Sequence, residues 1–470
     1  MRRLVRIVFV LCALSAIAAP AAVAAERMWV GFHDDPSFRW AANRATRIES
    51  TAQNGSTIIR LLVGWNTTAT KRPASPADPF DPAYNFGDID EAVRTAQAND
   101  LEVMLTISGT PRWANGGKKA NVMPRRLADF RAFAQAIGAR YSGRFDDLPF
   151  VRFFSIWNEP NLNVFLTPQF DKKGRSVSPR NYAKLAAAGF AGVKAGNPLA
   201  KVAVGETSAR GRDKRKKGVS DTHSPGRFAE LVAKANKRLR FDAWSHHPYP
   251  FNPASAPSQV VKWPNVSLGS LPRLHTNLRK WFKRKDVSVW VTEYGHQTRP
   301  QDRFGVTYST QATYIKRSIS LARKFKFVSM FIWFVYQDDP GQPWESGLYT
   351  SSGAAKNPSP SRFSSTARPV DMRNSVYSFR RGTARPLVTL AARKFCMQHQ
   401  AGSLIDVSWR VMRGGSQVDT GQDTAALKAD CTLSLRLGFT VARGAPYVAT
   451  IALDDGNGIA ATRTLTIRGT

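Results

Sequence analysis

The chain predicts a (β/α)8 barrel, an α/β fold of TIM type, followed by a small all-β domain. Two observations carry that reading. Eight short, β-rich apolar runs alternate with segments of helical periodicity from Met28 to Phe334, and a parallel sheet covered on both faces produces near-continuous apolar strands. After Tyr349 the texture changes to Ser, Pro and Ala, and then to short alternating segments. An open doubly wound sheet is the competing fold, but it usually carries a Gly-rich phosphate turn after its first strand. Here the first run ends in Gly31-Phe32-His33-Asp34-Asp35-Pro36, which is no such turn.

The predicted strands are Met28–Phe32, Ile58–Val63, Leu101–Ile107, Val151–Trp157, Lys201–Gly205, Phe241–Ser245, Val287–Thr292 and Val328–Phe334. Between them, Ile89, Ala92, Val93 and Ala96 recur at helical spacing, as do Leu127, Phe130, Phe133, Ala134 and Ile137, and later Tyr314, Ile315, Ile319 and Ala322. A short last helix is expected near Phe363. The barrel domain is assigned to residues 26–368.

Residues 369–470 read as an antiparallel β-sandwich. Its expected strands are Leu387–Ala391, Ile405–Val411, Thr432–Leu437, Tyr447–Leu453 and Arg463–Ile467, punctuated by turns at Arg413-Gly414-Gly415 and Asp454-Asp455-Gly456-Asn457-Gly458. The order Cys396, Trp409, Cys431 resembles that of immunoglobulin-like domains, with a short second gap.

Residues 1–25 read as an export signal. Arg2, Arg3 and Arg6 precede the apolar run Ile7–Ile17, and Ala21 to Ala25 offer cleavage sites before Glu26. A retained anchor is the alternative, but the run is short for a span, and no later stretch is long and apolar enough for one. A secreted or cell-envelope location follows. Cys12 leaves with the signal, so Cys396 and Cys431 remain as a candidate disulfide in an oxidising compartment. No CxxC or HExxH spacing appears, so neither a metal site nor a cofactor is expected.

Chemistry in a barrel gathers at the C-terminal ends of its strands. Strand four ends Trp157-Asn158-Glu159-Pro160 and strand seven Thr292-Glu293-Tyr294-Gly295, which sets one glutamate on each of two rim positions. Two carboxyls at one mouth suit glycosidic bond cleavage: one donates a proton to the leaving oxygen, and the other, ionised, attacks or activates water. Glu206, Asp338 and Asp339 are further rim acids, read as loop stabilisers or glycan acceptors.

The Trp-Asn-Glu-Pro and Thr-Glu-Tyr-Gly strings resemble the paired signatures of clan A glycoside hydrolases, most closely families 39 and 5, across the whole barrel. The resemblance implies a retaining glycosidase with Glu159 as acid/base, Glu293 as nucleophile and Asn158 on the sugar 2-hydroxyl. Arg60 matches the clan's arginine near the nucleophile, where a guanidinium would keep Glu293 ionised. His247 and Tyr249 resemble its His-x-Tyr, whose hydroxyl orients the nucleophile. Trp333 resembles the tryptophan that floors the sugar subsite, and Trp113 a substrate-loop tryptophan of family 39.

The formal charge of +34 speaks to partners rather than fold. Arg210 to Lys217, Lys172, Lys173, Arg175, Lys118 and Lys119 fall in loops on the catalytic side, which makes an anionic polysaccharide or oligosaccharide one candidate substrate. The opposite face is basic too, and no nucleic-acid module is visible. A transglycosylase with the same intermediate and a non-catalytic glycan-binding matrix protein are the alternatives.

Overall fold

The computed structural model describes residues 28–470, apart from 100, 146, 147, 149, 301, 368–375, 393, 394, 396–398, 429–431, 458 and 459. The signal, the boundary expected at 368/369, and both Cys396 and Cys431 lie outside the described residues. Among the described residues, no helix is long and apolar enough to cross a membrane.

Eight parallel strands close into a barrel in chain order: β1 (Trp29–His33), β2 (Ile58–Gly64), β3 (Glu102–Ser108), β4 (Phe153–Ile156), β5 (Lys201–Ser208), β6 (Ala243–His247), β7 (Ser288–Tyr294) and β8 (Val328–Phe334). Each apolar run of the sequence forms one of them. The periodic segments become the helices Gly87–Ala98, Leu127–Arg140 and Tyr308–Lys324, and the last helix spans Ser359–Ala367.

Strand periodicity sorts side chains into two populations. Trp29, Ile58, Met104, Phe153, Trp290 and Met330 fill the barrel interior. Phe153 meets Trp29 and Trp290 edge-on at 5.6 and 5.4 Å, closing the lower end. Their alternates, such as Ile59, Leu61, Phe154, Phe331 and Trp333, pack outward in the cluster that includes the helices. Two residues above the aromatic layer the interior turns polar, with Arg60, Thr106, Ser155 and Ser245 all buried. That step from apolar to polar is the floor of the site.

Among the described C-terminal residues, seven strands form two sheets, one of five strands and one of two. β10 (Leu387–Ala391), β11 (Leu404–Arg413), β13 (Thr432–Arg436), β14 (Tyr447–Asp454) and β15 (Ala460–Gly469) match the expected segments. Tyr447, Ala449, Ile451 and Leu453 are buried while their alternates are exposed. β9 (Val376–Phe379) and β12 (Ser416–Ala426) went unpredicted, and β9 runs parallel to β15, so the domain is not wholly antiparallel. β12 is an edge strand of mostly exposed polar residues, which hides its alternation. Trp409 lies against Gly421 of β12 and donates its indole N–H to Asp419 at 2.8 Å.

Candidate active site

Arg60 organises the polar layer. It is fully buried on β2, where it shares the inward parity of Ile58. Its Nη1 donates to Glu293 Oε1 at 2.7 Å, its Nη2 to Glu206 Oε2 at 3.0 Å and to Asn158 Oδ1 at 3.1 Å, and its Nε to Thr106 at 2.9 Å. The planar fork thus fixes residues from four strands or strand ends in one geometry.

Backbone irregularity aims the glutamates. The β7–β8 register shifts between Val291 and Tyr294, so Thr292 and Glu293 both address the interior, where strict alternation would admit one. β5 shifts against β6 between Val204 and Thr207, with positive φ at Gly205 and Glu206. At the end of β4, Trp157 and Glu159 also hold positive φ, of 74° and 38°. Such backbone costs about 1–3 kcal/mol per residue and concentrates at functional sites.

Glu293 accepts a second hydrogen bond, from the Tyr249 hydroxyl to Oε2 at 2.9 Å. His33 Nδ1 and His247 Nδ1 each lie 3.4 Å from its carboxylate. Burial opposes its charge, but His247, His33 and Arg60 together hold the Glu293 carboxyl well below the usual carboxylate range. His247 is buried between carboxylates: Nε2 is 2.8 Å from Glu206 Oε2 and Nδ1 is 3.0 Å from Glu159 Oε1. Burial disfavours the imidazolium, yet Glu293, Glu159 and Glu206 outweigh it and raise His247 to about 10. Glu206 is likewise resisted by burial, but Arg60 and His247 lower it to about 2.

A cavity of about 520 Å³ opens above this layer. Of the residues expected here, Glu159, Glu293, Asn158 and Tyr249 line it, with Arg60 and His247 directly beneath. Trp333 and Trp113 do not line it. Trp333 is fully buried on the outer side of β8 and donates its indole N–H to Ser346 O at 2.8 Å. Strand parity gives the inward place to Phe334, which borders the cavity with Trp344 and Tyr249. Trp113 lies in the short helix Arg112–Asn115, with its indole N–H on Ala69 O at 2.8 Å, its ring edge-on to Trp65 and the Arg72 guanidinium over it at 4.6 Å.

Several site residues escaped the sequence reading. His33 ends β1, Asp34 and Asp35 follow it, and all three border the cavity. Asp35 receives His33 Nε2 at 3.1 Å and Arg39 Nη1 at 3.1 Å, which ties β1 into the Arg60 network. Trp344, in the loop after β8, stacks on Tyr249 at 5.2 Å. Of the further rim acids, Glu206 is fully buried rather than open to glycan, Asp338 is buried in an ion pair with Lys356, and Asp339 borders the cavity. Among the basic rim residues, Arg210 alone reaches the lining.

Residues 23–338 match Cellulase (glycosyl hydrolase family 5). The chain belongs to glycosyl hydrolase family 5. Solved structures agree in fold. A family 39 glycoside hydrolase from the gut symbiont Bacteroides cellulosilyticus superposes with a TM-score of 0.54 at 18% identity, over 88% of this chain and 81% of that one. A family 5, subfamily 18 protein from Streptomyces cattleya gives 0.51 at 13% identity, over 75% and 84%. No curated protein matches the chain. Both families expected from the strand-end motifs are therefore found, and the protein is a glycosidase with a carbohydrate substrate.

In this family 5 chain, Glu159, His247 and Glu293 bring one ligand-type atom each within 4.8 Å of one another. A cation would need His247 neutral and unpaired, whereas both of its nitrogens face carboxylates that favour the imidazolium. The trio fits acid–base chemistry better than metal binding.

Proposed function

We propose that the protein is a retaining glycosidase that cleaves O-glycosidic bonds by double displacement, with Glu293 as nucleophile and Glu159 as acid/base. The observation that carries this is the closeness of the two carboxylates, one oxygen of Glu159 lying within 4.8 Å of one oxygen of Glu293. Retaining enzymes hold their carboxyls about 5–5.5 Å apart, whereas inverting ones leave about 6.5–9.5 Å for a water. In the first step a Glu293 oxygen bonds to the anomeric carbon as the bond to the leaving oxygen breaks, and Glu159 gives that oxygen its proton. Water then attacks the glycosyl-enzyme, Glu159 takes the proton back, and Glu293 is released.

The surroundings support those roles. Glu293 is kept ionised by its cationic neighbours and oriented by Arg60 and Tyr249. Asn158 is held by Arg60 at the rim, where it fits a hydrogen bond to the sugar 2-hydroxyl. Proton NMR of the first-formed product tests the mechanism: the substrate's own anomeric configuration is expected, and an inverted product overturns it. Glu293→Ala should abolish turnover even of an activated glycoside. Glu159→Ala should retain the first step on such a substrate and accept azide.

Export belongs to the same proposal, supported by the Arg2-Arg3 head and the apolar Ile7–Ile17 run. A secreted chain beginning near Glu26 is expected by mass spectrometry. A retained, uncleaved N-terminus would refute it.

A further inference from the structure

The cavity is chemically lopsided. The β4–β6 side, around Glu159, is where the leaving group must sit, because the acid/base contacts the leaving oxygen. Leu162 lies one turn beyond Glu159, its backbone N–H on the Glu159 carbonyl at 2.9 Å. With Phe165, Ala209, Pro250 and Phe251 it makes that wall. Besides Asn158, Glu159 and Tyr249, Ser208 and Arg210 are the polar side chains described there. Arg210 is already engaged, with its guanidinium over the Phe251 ring at 5.4 Å and Nη1 on the Phe251 carbonyl at 3.1 Å.

The opposite side, around Glu293, sets amides and acids beside apolar residues such as Trp40, Leu62, Phe334 and Trp344. Gln297, Gln337, Gln342 and Asp339 border it, and so do Asp34 and Asp35. Apart from Arg210, no Lys or Arg among the described residues lines the cavity, and Arg60 beneath it is engaged by Glu293, Glu206 and Asn158. A uronate held there would face carboxylates, whereas neutral hydroxyls find both donors and acceptors. On the leaving-group wall a second sugar would bury hydroxyls against alkyl and phenyl surface. A buried hydroxyl without a partner costs binding, and an alkyl or aryl group gains it by leaving water.

We propose that the leaving-group subsite takes an apolar aglycone, alkyl or aryl, released from a neutral sugar. This rests on the retaining reading above and specifies its substrate. The bond broken joins the anomeric carbon to the aglycone oxygen, and that oxygen leaves with the Glu159 proton as an alcohol or phenol.

Glycosyl fluorides separate the two claims, because they have a sugar but no aglycone. A panel of neutral and uronosyl fluorides, in both anomers, identifies the sugar. Methyl and hexyl glycosides of that sugar, whose alcohols are of similar acidity, are then compared with the matching disaccharide. Full burial of a methylene corresponds to about fourfold in kcat/KM, so half burial of the five added methylenes gives hexyl over methyl about thirtyfold. A neutral fluoride should be turned over, and hexyl should exceed both methyl glycoside and disaccharide. In Leu162→Asn and Phe251→Ala the hexyl-to-methyl ratio should fall toward one. That ratio is read within each variant, so partial loss of folded protein cancels. A wild-type ratio of one or less, faster cleavage of the disaccharide, or preference for a uronosyl fluoride overturns the inference and leaves the retaining reading standing. Turnover of no fluoride overturns both.

Discussion

Replacing Glu206 by glutamine removes one charge and little volume from the middle of the network. Its Oε2 receives Arg60 at 3.0 Å, His247 at 2.8 Å and the Thr292 hydroxyl at 3.1 Å. Both residues of each ion pair are fully buried. Deleting one partner of such a pair leaves an uncompensated charge in a poorly screened interior, at about 3–5 kcal/mol. Glutamine keeps one acceptor and turns the other into a donor that faces cations, so the upper half of that range is expected. Catalysis should suffer as well. A shift of Arg60 or His247 by about 1 Å misplaces Glu293 and Tyr249, which can cost about a hundredfold in kcat. Denaturant unfolding followed by tryptophan emission gives the stability loss, and the double variant with His247→Asn gives the coupling. Because the two side chains touch, the losses should fail to add, by about 1–3 kcal/mol. A single-variant loss below 1 kcal/mol, or strict additivity, would refute the view of Glu206 as the counter-charge of this layer.

Two further outcomes follow from the same geometry. His247 has a folded-state pKa raised from 6.5 to about 10. Its contribution to stability is therefore fully present below pH 6.5 and is lost as pH climbs through 10, a swing of about 3–5 kcal/mol. Unfolding midpoints at pH 6.5 and 9.5 should differ more in the wild type than in His247→Asn, and equal differences would contradict the assignment. Trp333 and Phe334 should behave oppositely. Trp333→Ala empties a buried site and should cost about 3–5 kcal/mol of stability. Phe334→Ala should act chiefly on KM and kcat, and a silent Phe334→Ala would move the subsite floor elsewhere.

That last contrast shows where sequence reasoning was sufficient and where it was not. All eight barrel strands were legible because parallel strands buried on both faces are apolar throughout, and each stands out against its amphipathic neighbour. The same uniformity hides parity. In Val328–Phe334 nearly every side chain is hydrophobic, so the pattern cannot say which alternate set faces inward, and the tryptophan was assigned where the phenylalanine lies. Glu159 and Glu293 escaped that ambiguity because charge at the end of an apolar strand is informative in itself.

Glu206 carries the same signal at the end of β5, but its role depends on partners that sequence distance conceals. It lies 146 residues from Arg60 and 41 from His247. His33 and Asp35 were harder still. They end or follow a strand of only five residues and join the site by pairing with Arg60 and Arg39. Charge at a strand end is thus enough to nominate a residue. Whether it attacks, orients or neutralises is decided by the bulges at β5 and β7 and by Arg60, which converts four separate strand ends into one electrostatic unit. On the proposed mechanism, the charge that develops at the anomeric carbon is met by Glu293 only while its countercharges Arg60, His247 and His33 stay in place.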